Sequence, residues 1–254
     1  MTRVSFSDNN VLYIELPTSW EKLSQDELAG VYLLMSSVET EELPLHVFMF
    51  LAHGRVIRTA DNGFLCSFTT DSGCDVPVTL KPEQLVTMMN ELDFLKSPGD
   101  YPVRLEIIQN RKAVNHELHG VKFSDYIALE NYYQGFIVSK DPAILPRIAD
   151  ILYPGDVFIS LSPTEALNVI NWMIQIKANF SGSFPNFFRP VSDDSHGEQM
   201  SQLEIMNNEI RALTGGDLTK EADILASDCW RALTELDFKA KEAEEFNRRM
   251  NKNK

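Results

Sequence analysis

Two imidazoles and a carboxylate lie within four residues of each other, at His116, Glu117 and His119. Imidazole nitrogens and carboxylate oxygens are common ligands of zinc, and a bound zinc activates water for hydrolysis. The spacing differs from the HExxH helix motif, because the histidines are three residues apart and the glutamate directly follows the first. On a strand, the two histidines would point to opposite faces. We therefore favour polar surface residues at a strand end, with metal ligation as the alternative.

A second group of oxygen and nitrogen donors occurs in the sequence Asp193-Asp194-Ser195-His196. Such carboxylates bind divalent cations. Residues 191–199 are small and polar, however, which is typical of a flexible linker, and we favour that interpretation. The alternative function is a metal-dependent hydrolase that draws its ligands from His116, His119, Asp193, Asp194 and His196.

The three cysteines, Cys66, Cys74 and Cys229, are too few and too widely spaced to predict a disulfide framework or a zinc knuckle. We expect reduced thiols, with Cys66 and Cys74 as cross-strand neighbours in a hairpin. The sequence contains no GxxxxGKS/T, GxGxxG or GxSxG motif, so the usual signals for nucleotide binding and serine hydrolysis are missing. No cofactor is therefore predicted.

A cluster of aromatic residues is followed by a cation, in the order Phe180, Phe184, Phe187, Phe188 and Arg189. Aromatic rings beside a positive charge form stacking platforms for nucleobases. Because no basic groove surrounds this cluster in the sequence, we favour core packing or a protein contact.

The charge balance disfavours general binding to nucleic acid. Thirty-seven acidic residues against 23 basic ones give a formal net charge of −14, which repels a phosphate backbone. Residues 231–254 hold seven basic and five acidic residues, a local balance of +2 that leaves −16 on the first 230. We interpret this basic tail as a solvated helix end, with a nucleic-acid-binding accessory protein as another alternative. The acidic remainder of the chain is better suited to bind a basic segment of a partner protein.

The N-terminus, MTRVSFSDNN, has no apolar core of a secretory signal, and no stretch approaches eighteen uninterrupted apolar residues. We expect no membrane span and a protein that is made in the cytoplasm.

The last fifty-five residues predict a helical hairpin. Apolar residues spaced three and four apart mark a helix over 200–213, and Gly215-Gly216 ends it. Asp217 or Thr219 then caps a second helix. Its seam holds a heptad spacing without a break: Ala222, Ala226, Cys229, Leu233, Leu236, Ala240, Ala243, Asn247 and Met250. Such a seam is suited to contact another helix.

The remaining elements predict a helix-dominated α+β fold. A short N-terminal strand at Val11–Leu16 and residues 55–122 are predicted to form one small mixed or antiparallel sheet. Capping boxes at Ser24/Glu27 and Ser162/Glu165 predict helix starts. We predict four regions: an α+β region (1–122), a helical body (123–190), a linker (191–199) and the C-terminal αα-hairpin (200–254).

Three passages resemble uncharacterised proteins encoded in phage and prophage tail regions of Bacteroidetes. They are LPTSWEKLS at 16–24, FPNFFRP at 184–190 and IRALTGGDLTKE at 210–221. The resemblance implies a virion structural protein or a tail-assembly chaperone, a class that is commonly acidic and binds the helical tape-measure protein. It implies no functional residue.

We therefore predict a non-enzymatic structural or tail-assembly protein that acts through protein–protein contact. Its partner would be a tape-measure-like helical protein or a second copy of the chain. The protein itself would be located in the host cytoplasm or in a virion. The predicted contact residues lie on the hairpin: Leu203, Ile210, Leu213, Trp230, Leu233, Leu236, Ala240 and Phe246. The hairpin could equally pack against the body of its own chain.

Overall fold

The computed structural model describes residues 2–6, 10–60, 62–70, 73–99, 101–188 and 202–252. The predicted linker and its donors Asp193, Asp194 and His196 lie outside these ranges, as does Arg189. The side chain of Leu203 also falls outside the described part. The helix-dominated α+β class is confirmed.

The contacts divide the chain into two compact units. Unit 1 comprises residues 1–105 and 162–171, and unit 2 comprises residues 106–161 and 172–254. Unit 2 includes residues 106–122, which the sequence analysis assigned to the α+β region, and the long helix Pro163–Ser183 contributes its first part to unit 1 and the rest to unit 2. The predicted hairpin belongs to the same unit as most of the predicted helical body.

Unit 1 contains the larger part of the β structure. Its strands are β1 (Thr2–Phe6), β2 (Asn10–Ile14), β3 (Gly54–Ala60), β4 (Gly63–Thr69) and β5 (Asp75–Leu80), and its helices are α1 (Gln25–Ser37), α2 (Leu43–Leu51) and α3 (Pro82–Asn90). β1 pairs with β2 as a separate antiparallel hairpin, while β3, β4 and β5 form an antiparallel sheet in that order. The N-terminal strand therefore does not join the predicted sheet.

The core of unit 1 forms where α1 and α2 bury aromatic and aliphatic side chains. Trp20 stacks on Tyr32 and donates its indole N–H to the Ser97 carbonyl at 2.7 Å. Phe48 of the apolar helix α2 contacts Phe68 of β4 edge to face. Burial of such rings, with their polar atoms hydrogen-bonded, stabilises the unit without orphaned donors.

Unit 2 is mainly helical. It contains the two-residue strands β6 (Ile107–Ile108) and β7 (Arg111–Lys112), and the helices α4 (Phe123–Ser139), α5 (Leu145–Leu152), part of α6 (Pro163–Ser183), α7 (Gln202–Thr214), α8 (Glu221–Ala226) and α9 (Cys229–Lys252). α4 packs against α5, α8 and α9, and α7 packs against α8 and α9.

Local signals place several helix ends correctly. Ser24 and Glu27 satisfy each other's backbone N–H groups at the start of α1, and Ser162 with Glu165 does the same before α6. Gly215 and Gly216 adopt positive φ angles of 65° and 85° after α7, and Asp217 accepts the Thr219 N–H. Helices that start and stop within a few residues can be predicted from such caps.

Two local predictions are wrong. Residues 113–121 form no strand, since only Ile107–Ile108 and Arg111–Lys112 pair in this region. The second hairpin helix is not continuous either, because it breaks between α8 and α9 at Ser227 and Asp228. There the Phe123 N–H donates to the Ser227 carbonyl and the Cys229 N–H donates to the Val121 carbonyl, both at 2.8 Å. These backbone bonds hold the break extended.

Candidate interaction surface

The segment that carries the two histidines is a tight turn, residues 115–121. The Asn115 side chain accepts the backbone N–H of Glu117 at 2.9 Å, and the buried Leu118 adopts a positive φ of 65°. Trp172 donates its indole N–H to the His116 carbonyl at 2.8 Å, and Trp230 donates to the Glu117 carbonyl. These tertiary hydrogen bonds and the positive φ of Leu118 hold the segment as a turn in place of the predicted strand.

The turn brings both imidazoles to one carboxylate, contrary to the predicted split. Nε2 of His116 lies 3.9 Å, and Nε2 of His119 3.6 Å, from Oε2 of Glu117. Asn179 donates from Nδ2 to the other carboxylate oxygen at 3.4 Å, while its buried Oδ1 has no hydrogen-bond partner among the described residues. Over the described ranges, no three His, Cys, Asp or Glu side chains are arranged to hold a metal ion.

His119 stacks on Trp230 with ring centroids 4.3 Å apart and an interplanar angle of 25°. The indole of Trp230 also meets Phe184 and Phe180, at centroid distances of 5.0 and 5.4 Å. The half-buried Trp230, predicted as a partner anchor, is therefore packed among side chains of unit 2. Phe180 and Phe184 are buried too, as expected if the aromatic cluster were core.

The first two turns of α9 are anchored within unit 2. We call residues 229–236 the proximal half of α9, and its inward side chains Cys229, Ala232, Leu233 and Leu236 are all buried. Asp228 caps this half: one carboxylate oxygen accepts the Arg231 N–H and the other accepts the Gly120 N–H of the turn. Two of the predicted contact residues, Leu233 and Leu236, thus lie in the core of their own unit.

A second carboxylate, Asp237, ties the end of the proximal half to the loop after α6. It accepts the backbone N–H groups of Asn186 and Phe187 at 2.7 and 3.0 Å, and the Asn186 side chain donates to it at 2.8 Å. Hydrogen bonds to a charged acceptor are stronger than neutral ones. The roles of Asp228 and Asp237 were not predicted. Asp228 could have been found as an N-cap before Cys229, but Asp237 bonds to residues 50 positions away.

Beyond Asp237 the same helix faces solvent. We call residues 240–250 the distal half of α9, and its side chains are exposed or, at Ala240 and Glu244, half-buried. The aromatic side chain of Phe246 is 62% exposed, and Met250 is 51% exposed. Large apolar side chains with this exposure mark a contact surface when they adjoin further apolar residues. Of the predicted contact residues, Ala240 and Phe246 lie here.

Helix α7 presents the remaining predicted contact residues, Ile210 and Leu213, as half-buried side chains. On the same helix, the pKa of Glu209 is raised to about 7, first by burial and then by the Glu130 carboxylate, while the Lys177 ammonium lowers it in part. Lys177 is paired with Glu130 at 2.7 Å. Burial, followed by the charge of Glu130, also raises the pKa of Tyr126 well above its ordinary value. This acidic cluster lies within unit 2.

The two buried cysteines, Cys66 and Cys229, are in surroundings that suppress thiolate formation. All three are free thiols, and the cross-strand neighbours of Cys66 are Val56 and Val78, so the prediction that Cys66 and Cys74 are cross-strand neighbours is wrong. Burial raises the pKa of Cys66, and burial together with the Asp228 carboxylate raises that of Cys229 to about 12. A thiol with so high a pKa carries almost no thiolate and is a poor nucleophile.

Unit 1 contains an open surface depression of about 590 Å³ beside the end of α2, lined by Met49, Phe50, His53, Gly54, Arg55, Thr69 and Thr70. The guanidinium of the lining residue Arg55 is paired with the Asp75 carboxylate at 2.7 Å. The depression therefore presents no unpaired guanidinium to an anion.

None of the described helices combines the length and the apolar character needed to cross a membrane. The described chain offers two surfaces of interest, the turn around Glu117 and the distal half of α9. Comparison with known protein families, curated proteins and solved structures finds no match for this chain.

Proposed function

We propose that this chain is a non-enzymatic structural or tail-assembly protein of the phage type that works through protein–protein contact. The observation that carries the proposal is the exposed apolar side of α9 at Phe246 and Met250, which continues a seam whose first part is core. A helix whose apolar face extends beyond its own fold is suited to bind another helix. The resemblance to tail-region proteins supplies the setting, and the protein would be made in the host cytoplasm.

The anchoring of the proximal half supports this proposal. Asp228 and Asp237 fix α9 at both ends of its buried part, so the distal half extends from a rigidly held segment. A contact helix that is already formed loses less conformational entropy on binding than a disordered segment does. An exposed apolar face on a rigidly held helix therefore supports the interpretation as a binding surface rather than as core that lacks neighbours.

The test is co-expression of the full chain with each gene product encoded beside it, followed by purification of complexes. We expect one neighbouring protein to co-purify, and Phe246→Asp to abolish its capture. Phe238→Asp is the matched control, because Phe238 is 59% exposed on the same helix but lies about 140° around the helix from Ala243, by the 3.6-residue period.

Truncation after Lys239 provides a second variant. It removes the distal half and leaves Asp228, Asp237 and the buried seam in place, so the body should stay folded and lose the partner. Capture that survives both the truncation and Phe246→Asp would overturn the proposal.

The histidine cluster gives less support to the alternative of a metal-dependent hydrolase. His116 and His119 lie near Glu117, but within the described residues these three side chains are not arranged to hold a metal ion. The other candidate ligands, Asp193, Asp194 and His196, lie outside the described residues. Stoichiometric zinc in the purified protein, lost in His119→Ala, would revive that alternative.

A further inference from the structure

The turn between β3 and β4 contains the sequence Asn62-Gly63, the single Asn-Gly pair in the chain. Ala60 pairs with Gly63 across this turn, so Asn62 lies in its loop. The Asn62 side chain is exposed, and it makes no hydrogen bond to another residue of the described ranges. An amide in this position can rotate toward the backbone nitrogen of the residue that follows it.

Glycine at position 63 leaves that nitrogen open to approach, because glycine has no side chain to shield its amide. The fold also requires glycine here. Gly63 has a φ of 152°, and an added Cβ would overlap the Leu80 carbonyl oxygen. An open surface depression of about 540 Å³ is lined by Asn62 and Gly63, so water has access to both residues.

We propose that Asn62 is a site of spontaneous deamidation, in which Gly63 attacks the Asn62 side chain. The backbone nitrogen of Gly63 forms a bond to Cγ of Asn62, the bond from Cγ to Nδ2 breaks, and ammonia leaves with the proton of the Gly63 N–H. The product is a succinimide ring. Ring closure joins groups of adjacent residues, which makes the step unimolecular.

Water then opens the ring at either of its two carbonyls, and its proton returns to the Gly63 nitrogen. Addition of water at Cγ restores the ordinary backbone and leaves aspartate at position 62. Addition at the main-chain carbonyl leaves the chain running through Cγ, which gives isoaspartate. Each product carries one more negative charge than the original asparagine.

The chain contains its own matched comparison at Asn110. This residue is also exposed, lies in the two-residue loop between β6 and β7, and makes no side-chain hydrogen bond within the described ranges. The residue that follows it is Arg111, whose side chain is held by the Asp150 carboxylate. Since this side chain crowds the backbone nitrogen of residue 111, Asn110 should deamidate much more slowly than Asn62.

The isoaspartate product should disturb the sheet of unit 1. It adds one atom to the main chain directly before β4, the central strand, which pairs with both β3 and β5. The pairing register of a hairpin depends on the geometry of its turn. We therefore expect the sheet to lose stability as isoaspartate accumulates. The reaction needs no partner protein, so it is independent of the proposed function.

The experiment is incubation of the full chain in mildly alkaline buffer, with peptide mapping at intervals. Electron-transfer dissociation in the mass spectrometer distinguishes asparagine, aspartate and isoaspartate at each position. We expect the acidic forms to accumulate at position 62 at least about tenfold faster than at position 110, with isoaspartate as the main product. Equal rates at the two positions, or aspartate without isoaspartate at position 62, would overturn the proposal.

Asn62→Gln tests the ring mechanism, because its amide is one carbon further from the backbone and would have to close a larger, less favourable ring. The peptide that contains position 62 should then stay unmodified over the same period, while Asn110 behaves as in the natural chain. Acid formation that continues at the natural rate in Asn62→Gln would exclude attack by Gly63. A substitution of Gly63 is not suitable, because its backbone conformation requires glycine.

The effect on the sheet is measured on the isolated isoaspartate form. Asn62→Asp is the matched control, since it has the same charge without the added main-chain atom. Urea unfolding should give a lower midpoint for the isoaspartate form than for Asn62→Asp. Equal midpoints would contradict the expected disturbance of the sheet.

Discussion

The proximal and distal halves of α9 have the same heptad spacing but different surroundings. Leu233 and Leu236 are buried in unit 2, whereas Phe246 and Met250 are exposed on the same continuous helix. The difference is produced by neighbours distant in sequence, since α4 and α7 pack against α9 and Asp237 binds the loop after α6. A heptad seam therefore predicts that a helix will be contacted, and only the tertiary fold determines which part is left for a partner.

The largest expected effect comes from a cavity in the proximal half. Leu233→Ala should lower the free energy of unfolding by about 2–5 kcal/mol, because it removes a fully buried side chain from a packed core. Phe246→Ala, the matched change in the distal half, should alter it by less than about 0.5 kcal/mol. Urea unfolding of both variants, followed by tryptophan fluorescence, measures the contrast. Similar losses in the two variants would show that the distal half is covered as well.

Removal of the Asp237 carboxylate should have the next largest effect. Asp237→Ala leaves the N–H groups of Asn186 and Phe187 without their acceptor, which we expect to cost about 2 kcal/mol of stability. The loop after α6 should also become protease-sensitive. Limited proteolysis with mass spectrometry locates the cleavage, and Asp223→Ala, at an exposed position on α8, is the control. Equal resistance in both variants would argue that other contacts hold the loop.

The free energy of unfolding should depend on pH through Glu209 of α7, the helix that packs against α9. Its folded pKa of about 7 lies above its ordinary value of 4.5, so between these values the folded protein holds a proton that the unfolded chain has released. Stability therefore falls as the pH rises through this window, and the loss above pH 7 is on the order of 3 kcal/mol, since each pKa unit corresponds to about 1.4 kcal/mol.

Glu209→Gln removes this cost. The variant should be more stable than the natural chain at pH 8 and equal to it near pH 4, as measured by urea unfolding at each pH. Glu204→Gln, an exposed change on the same helix, should show no such difference. A gain for Glu209→Gln that is the same at both pH values would exclude titration of Glu209 as its cause.

Sequence patterns predicted what local chemistry determines. The two Ser/Glu capping boxes, the Gly215-Gly216 stop and the Asp217 cap are all formed as expected, because each involves residues within a few positions of each other. The helix-dominated class follows from such signals and from apolar periodicity.

The candidate surfaces were harder to predict because long-range bonds define them. The 115–121 turn depends on Trp172 and Trp230, which are 56 and 113 residues away from the carbonyls that they bind. The interruption of the seam at Ser227 depends on pairing with residues 121–123. A periodicity argument assigns these positions to a strand and to a continuous helix, since it does not include the tertiary hydrogen bonds that override them.

The smallest expected effect concerns the charges of the distal half of α9. A double-mutant cycle on Glu244 and Arg248, whose Arg248 side chain is largely exposed, should give a coupling of about 0.3–0.5 kcal/mol in the free energy of unfolding. The coupling is small because water screens an exposed ion pair and because two long side chains must be ordered to form it. A coupling well above about 1 kcal/mol would show that the pair is shielded from solvent, and the distal half would then be covered like the proximal half.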